Sequence, residues 1–185
     1  MARQLTATMA PPGSWAASPG RGTVHSLESA RRRRLHGPAP SGVIRVLVVG
    51  RQAITRAGLR RLLEDEHGLT VVGEAANGAD AVRLLGATAP DVALLDAGCL
   101  EPEPAASTRA LADRVAVLLL TERDPEDRIL AAIRAGATGV VAKDSHPAHL
   151  ASAVRTLAAG GALLPPRATL RLIFELGNTT PSSPS

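Results

Sequence analysis

Three polar side chains of different chemistry each close an aliphatic run. Asp96 ends DVALLD, Thr121 ends VAVLLLT, and Lys143 follows GVVA. A carboxylate, a hydroxyl and an ammonium brought together make a charge-paired polar site. Each has an ordinary use as well: a capping aspartate, the N-cap threonine of a turn, a solvated lysine. Lys143 is set apart by composition, because it is the single lysine among 21 basic residues, the other twenty being arginine. A lone lysine at a strand end suggests a need for a compact ammonium where the planar guanidinium fork does not serve.

Other chemistries lack their parts. No Ser/His/Asp set, metal-ligand cluster or glycine-rich phosphate loop stands in a suitable context, so no enzyme is expected. A phosphatase built on paired aspartates would want a second one two residues after Asp96, where Gly98 stands. The lone Cys99 excludes an internal disulfide and a cysteine-rich metal site. Trp15 and Phe174 are the only aromatic residues, which argues against recognition of single-stranded nucleic acid by base stacking. They also leave the core to Leu, Val, Ile and Ala.

For the three side chains to meet, short strands must deliver them to one edge. Val43 to Val49, Leu69 to Ala75, Asp91 to Asp96, Val115 to Leu120 and Gly139 to Ala142 are apolar runs of strand length. Helical patterns alternate with them: Thr55 to Glu66, Ala79 to Ala87, Ala105 to Arg114, Asp124 to Ala135 and Pro147 to Ala159. Asp124 is the expected N-cap of the fourth helix with Pro125 at its first position, and Gly136 its stop. Apolar strands alternating with helices predict right-handed crossovers and a parallel sheet covered on both faces. The expected fold class is therefore α/β, a (βα)5 flavodoxin-like doubly wound parallel sheet in a single domain. Its order would gather the ends of strands one, three, four and five, where such folds hold ligands. Asp96 would then face Lys143, with Thr121 alongside.

The flanks read differently. Residues 1–42 are rich in Pro, Gly, Ser, Ala and Arg without a period, and are expected to be a disordered arm. The arm holds six arginines against Glu28, a balance of +5, while the other 143 residues carry 15 basic and 16 acidic groups, a balance of −1. Arg31, Arg32, Arg33 and Arg34 could add weak, sequence-independent attraction to nucleic acid, although such runs are more often merely solvated. No apolar run is long enough for a membrane span and no secretory signal is legible, so a cytoplasmic protein without a membrane partner is expected. The domain is placed at 43–164, followed by a linker remnant and tail over 165–185.

IRVLVVGRQAITRAGLRRLLEDEHGLTVVGEAANGADAV resembles the opening of a response-regulator receiver domain of the NarL/FixJ type. DVALLD, VAVLLLT, AAIRAGATGVVAKD and HLASAVRTLAAGGALLPP follow in the same family's order, so the resemblance covers roughly residues 44–171. It implies that Asp96 is the phospho-acceptor position, Thr121 the switch hydroxyl and Lys143 the phosphate-contacting lysine. It also implies that the helix 4–strand 5–helix 5 face serves a protein partner or a homodimer. Leu150, Val154 and Leu157 share one face of the last helix and are candidates for that contact, or for packing on the sheet.

The chain departs from the pattern. The family's acidic pair after the first strand is replaced by Gly50 and Arg51, the aromatic switch position by Val140, and the usual Met-Pro after the acceptor by Cys99-Leu100. Mg2+ requires oxygen ligands, commonly carboxylates, so no cofactor is expected. Arg51 is expected to reach Asp96 in the metal's place, the alternative being that it points to solvent. Leu163 to Leu176 resembles the start of the family's linker to a helix-turn-helix. Signal transduction or transcriptional regulation through protein contacts, independent of Mg2+-dependent phosphorylation, is the function this implies. A pocket that binds a small-molecule signal, or a conventional phosphorelay receiver, are the alternatives.

Overall fold

In a computed structural model, which describes residues 42–99, 104–122 and 125–177, the five aliphatic runs become five parallel strands. They are β1 (Ile44–Val49), β2 (Leu69–Ala75), β3 (Val92–Asp96), β4 (Ala116–Thr121) and β5 (Gly139–Ala142), in the order β2-β1-β3-β4-β5. The helices are α1 (Ala53–Glu64), α2 (Gly78–Thr88), α3 (Pro104–Ala112), α4 (Glu126–Arg134), α5 (Pro147–Ala158) and α6 (Pro166–Gly177). This is the expected doubly wound class. The Arg31–Arg34 run lies outside the described residues, as do residues 178–185 of the tail.

Side-chain alternation along the strands divides the core in two. Leu47, Val49, Ala93, Leu95, Val117, Leu119 and Val140 meet α2, α3 and α4 on one face. Val46, Val48, Val92, Leu94, Leu118, Leu120 and Val141 meet α1 and α5 on the other. The chain winds outward from β1 to β2 and then back past β1, so right-handed crossovers put α1 opposite α2–α4. Among the described residues the hydrophobic core is wholly aliphatic: Phe174 is among the exposed large side chains.

Asn77 caps α2, its side chain accepting from the Asp80 N–H. Gly136 ends the α4 segment at φ +110°, where a Cβ would stand 2.7 Å from Cβ of Ala112, so both the turn and the packing call for glycine. Two expectations change. α4 begins at Glu126 with Pro125 at its cap position, and Asp124 lies outside the described residues. The segment read as linker turns back as α6, whose Ala168 is buried in the core with Leu164 and Leu172 packed beside it. An apolar residue every fourth position made that segment a helix able to dock.

Candidate functional site

Register places the site. Val49 pairs with Leu95 and Asp96 with Leu120, and Thr121 pairs with Ala142. Gly50, Asp96, Thr121 and Lys143 therefore lie along one edge of the sheet, at the carboxyl ends of four strands. Backbone pairing continues past β5, where the Lys143 N–H donates to the Thr121 carbonyl at 2.7 Å.

Asp96 and Lys143 meet. The lysine Nζ lies 2.9 Å from Oδ1 of Asp96, and the two side chains are 31% and 8% exposed. The Gly98 N–H donates to the same oxygen at 3.0 Å. A carboxylate taken almost wholly out of water thus keeps a counter-charge and a backbone donor. Thr121 is buried at the end of the intervening strand.

Arg51 does not do what was expected of it. Its side chain is exposed, and among the described residues it makes no ion pair with Asp96. The lysine that follows β5 already holds that carboxylate, and residue 51 lies past the end of β1, where the chain turns outward into α1. The arginine that enters the site is Arg56, one turn into α1. Its Nη1 donates to the Gly50 carbonyl at 2.6 Å and to the Arg51 carbonyl at 3.2 Å, and its Nε to Glu74 at 3.2 Å. A Cβ on Gly50 would come within 3.2 Å of Arg56 Cγ and 3.9 Å of Asp96 Cβ. The space beside Asp96 is thus lined by the aliphatic stem of an arginine.

Sequence reasoning missed Arg56. A signal was present: Arg56, Leu59 and Leu63 fall at i, i+3 and i+7, on the stripe that α1 turns toward the sheet. Arg60 joins Arg56 on Glu74, its Nε donating to Oε1 at 2.6 Å. The hydrogen bond from Arg60, ahead of that from Arg56, holds the Glu74 carboxyl below the usual glutamate range against the opposing effect of burial. Glu74 in turn raises Arg60 further above its ordinary value.

This donor set does not fit Mg2+. Gly50 and Arg51 supply no side-chain oxygen, an ammonium holds Oδ1 of Asp96, and Glu74 is engaged by two guanidiniums. Among the described residues, no group of three or more His, Cys, Asp or Glu could hold a metal ion.

Val140, which the resemblance sets at the aromatic switch position, is buried, and its N–H donates to the Leu163 carbonyl at 2.8 Å. Leu150, Val154 and Leu157 are also buried, packed against the sheet with α1's Leu59 and Leu63. The stripe that suggested a contact surface on α5 is core. What opens on that side is a groove of about 460 Å3 between β5, α5 and the segment Leu163–Pro165, lined in part by Val140, Ala142, His149 and Thr156.

Comparison with known proteins agrees with this architecture. Residues 46–155 match the response regulator receiver domain family. An uncharacterised transcriptional regulatory protein of Bacillus subtilis, YxjL, is 33% identical over 135 residues, covering 71% of this chain and 62% of its own. The DNA-binding transcriptional activator DevR/DosR of Mycobacterium tuberculosis is 36% identical over 137 residues, covering 72% of this chain and 63% of its own. The chain thus spans less than two thirds of the length of these relatives. The crystal structure of a LuxR-family two-component response regulator from Aurantimonas superposes with a TM-score of 0.63 at 32% identity, over 73% of this chain and 99% of that one.

Proposed function

The chain belongs to the response-regulator receiver family, and we propose that it signals there through protein contacts, without Mg2+-dependent phosphorylation of Asp96. The Lys143–Asp96 ion pair, with no carboxylate at residues 50 and 51, carries this reading. Phosphoryl transfer depends on a metal and basic groups to position the donor and neutralise its charge. Asp96, Thr121 and Lys143 keep the positions of the acceptor, the switch hydroxyl and the phosphate-contacting lysine. Gly50 and Arg51 leave the metal without ligands, and Val140 gives the hydroxyl no ring to act on. The receiver is held by its own lysine in one arrangement, and its output is the surface it presents.

That surface is the α4–β5–α5 side, where the β5 groove is open and α6 lies against α4. Transcriptional control is the setting, in keeping with the names of the relatives. The test is to add acetyl phosphate, or beryllofluoride with Mg2+, and follow backbone amide resonances of Gly98, Thr121 and Lys143. No change is expected. Saturable shifts centred on Asp96 would make this a conventional receiver.

A further inference from the structure

α6 is apolar on two opposite sides. Ala168 and Leu172 face the core, and Arg171 and Glu175 flank that side, reaching Asp127 at 3.2 Å and Arg134 at 2.6 Å on α4. Leu170, Ile173 and Phe174, at i, i+3 and i+4, point the other way and are 56%, 59% and 68% exposed. An amphipathic helix docked on a domain turns polar residues outward, and a helix apolar all round is a buried one. One of the chain's two aromatic side chains stands in this outward stripe.

We propose that a second copy of this chain covers the stripe, with the two α6 helices antiparallel across a twofold axis. An axis near Leu172 sets Leu170 of one copy against Phe174 of the other, so the patch is complementary to itself, as an isologous contact requires. Charge supports the antiparallel sense. α6 has no acidic residue in its first turn and no basic residue in its last, so its dipole lacks the usual compensation at either end. Arg167 is exposed and makes no ion pair among the described residues. The antiparallel arrangement brings Arg167 beside the Gly177 end of the other helix, where the last carbonyls carry partial negative charge. Each copy thereby supplies the cation the other helix lacks. The three side chains offer on the order of 300 Å2 per copy, well under the ~800 Å2 of a standard interface. The dimer is accordingly weak.

This contact takes up the partner half of the proposed function and does not depend on the state of the Asp96 pocket. Sedimentation velocity of the full chain from about 2 to 300 µM tests it, on wild type, Phe174→Glu, Ile173→Glu, Arg167→Glu and Ile54→Glu. Ile54 is an exposed apolar residue of α1 and serves as the control. Wild type and Ile54→Glu are expected to dimerise alike, Phe174→Glu and Ile173→Glu to remain monomeric, and Arg167→Glu to weaken the dimer about threefold to tenfold. Circular dichroism melts establish that each variant is folded. A monomeric wild type throughout, or a dimer that survives both Phe174→Glu and Ile173→Glu, overturns the proposal. Trp15, the only tryptophan, reports a different occupant. If wild type is monomeric and Phe174→Glu shifts Trp15 emission to the red, the N-terminal segment covers the stripe and the proposal fails. Repeating the series with Mg2+ and beryllofluoride separates the two readings. Dimerisation that is insensitive to beryllofluoride and abolished by Phe174→Glu supports both. An increase on adding it overturns the phosphorylation-independent function and leaves the α6 contact standing if Phe174→Glu still abolishes it.

Discussion

The ammonium of Lys143 and the carboxylate of Asp96 meet at 2.9 Å across the end of β4, which separates their own strands in the sheet. With no other carboxylate at residues 50 and 51, the pair is balanced in charge without a metal ion.

Removing either half of the supposed arginine clamp therefore has unequal effects. Asp96→Ala deprives Lys143 of its counter-ion and the Gly98 N–H of its acceptor, and is expected to cost about 1–3 kcal/mol. Arg51→Ala removes an exposed side chain and is expected to change stability by less than ~0.5 kcal/mol. Thermal melts at neutral pH compare them. Were Asp96→Ala stabilising, as relief of carboxylate repulsion would make it, the pair would not be what holds the site.

Gly50→Asp with Arg51→Asp adds two carboxylates at the end of β1 and is expected to create Mg2+ affinity in the millimolar range while destabilising the metal-free protein. The new side chain at position 50 must displace Arg56, whose Cγ lies 3.2 Å from its Cβ position. Adding Arg56→Ala is expected to tighten Mg2+ binding several-fold, at a further cost in stability. Calorimetric titration of the double and triple variants measures both steps. Equal affinities would mean that Arg56 does not crowd the site.

Glu74 gives the sheet a pH dependence of known sign. Its carboxyl is held below the ordinary range, chiefly by the Arg60 hydrogen bond, so the stabilisation is fully present above the unfolded-state value. It is lost as pH falls from about 4.3 through the depressed folded value. Both side chains are partly exposed, and screening holds the contribution to about 1 kcal/mol. Glu74→Gln is expected to lower the melting temperature at pH 7 and to converge with wild type near pH 2–3. A constant difference across that range would assign the loss to packing.

Ala168 tests whether α6 is a separate layer. Ala168→Glu puts a charge where the helix meets the core and is expected to undock α6 without melting the sheet. Trypsin should then cleave at Arg167 and Arg171 at least tenfold faster, with the main thermal transition shifted by only a few degrees. Cooperative loss of the whole structure would show α6 to be integral to the domain.

The fold was largely legible because each strand is a nearly unbroken aliphatic run that only a doubly covered sheet can bury. The meeting of Asp96 and Lys143 was legible too, since strand order alone brings their strand ends together. Arg51 was misjudged because its place in the chain says nothing of how the backbone turns after Gly50, and that turn hands the space to Arg56. Leu150, Val154 and Leu157 look the same in sequence whether a helix face meets a sheet or a partner. α6 was read as linker on the strength of a resemblance, although Ala168 and Leu172 already had helical spacing.

The segment that leads into α6 has a mechanical side. Leu163 bridges to Gly139, accepting from the Val140 N–H and donating to the Thr138 carbonyl. These two hydrogen bonds lie on the outer edge of β5, three residues before Lys143 at their nearest. Along the chain, a force applied to α6 reaches this clasp before α5, once the ion pairs and apolar contacts that dock α6 on α4 have given way. While the clasp is closed, the strand that leads into Lys143 is tethered to α6.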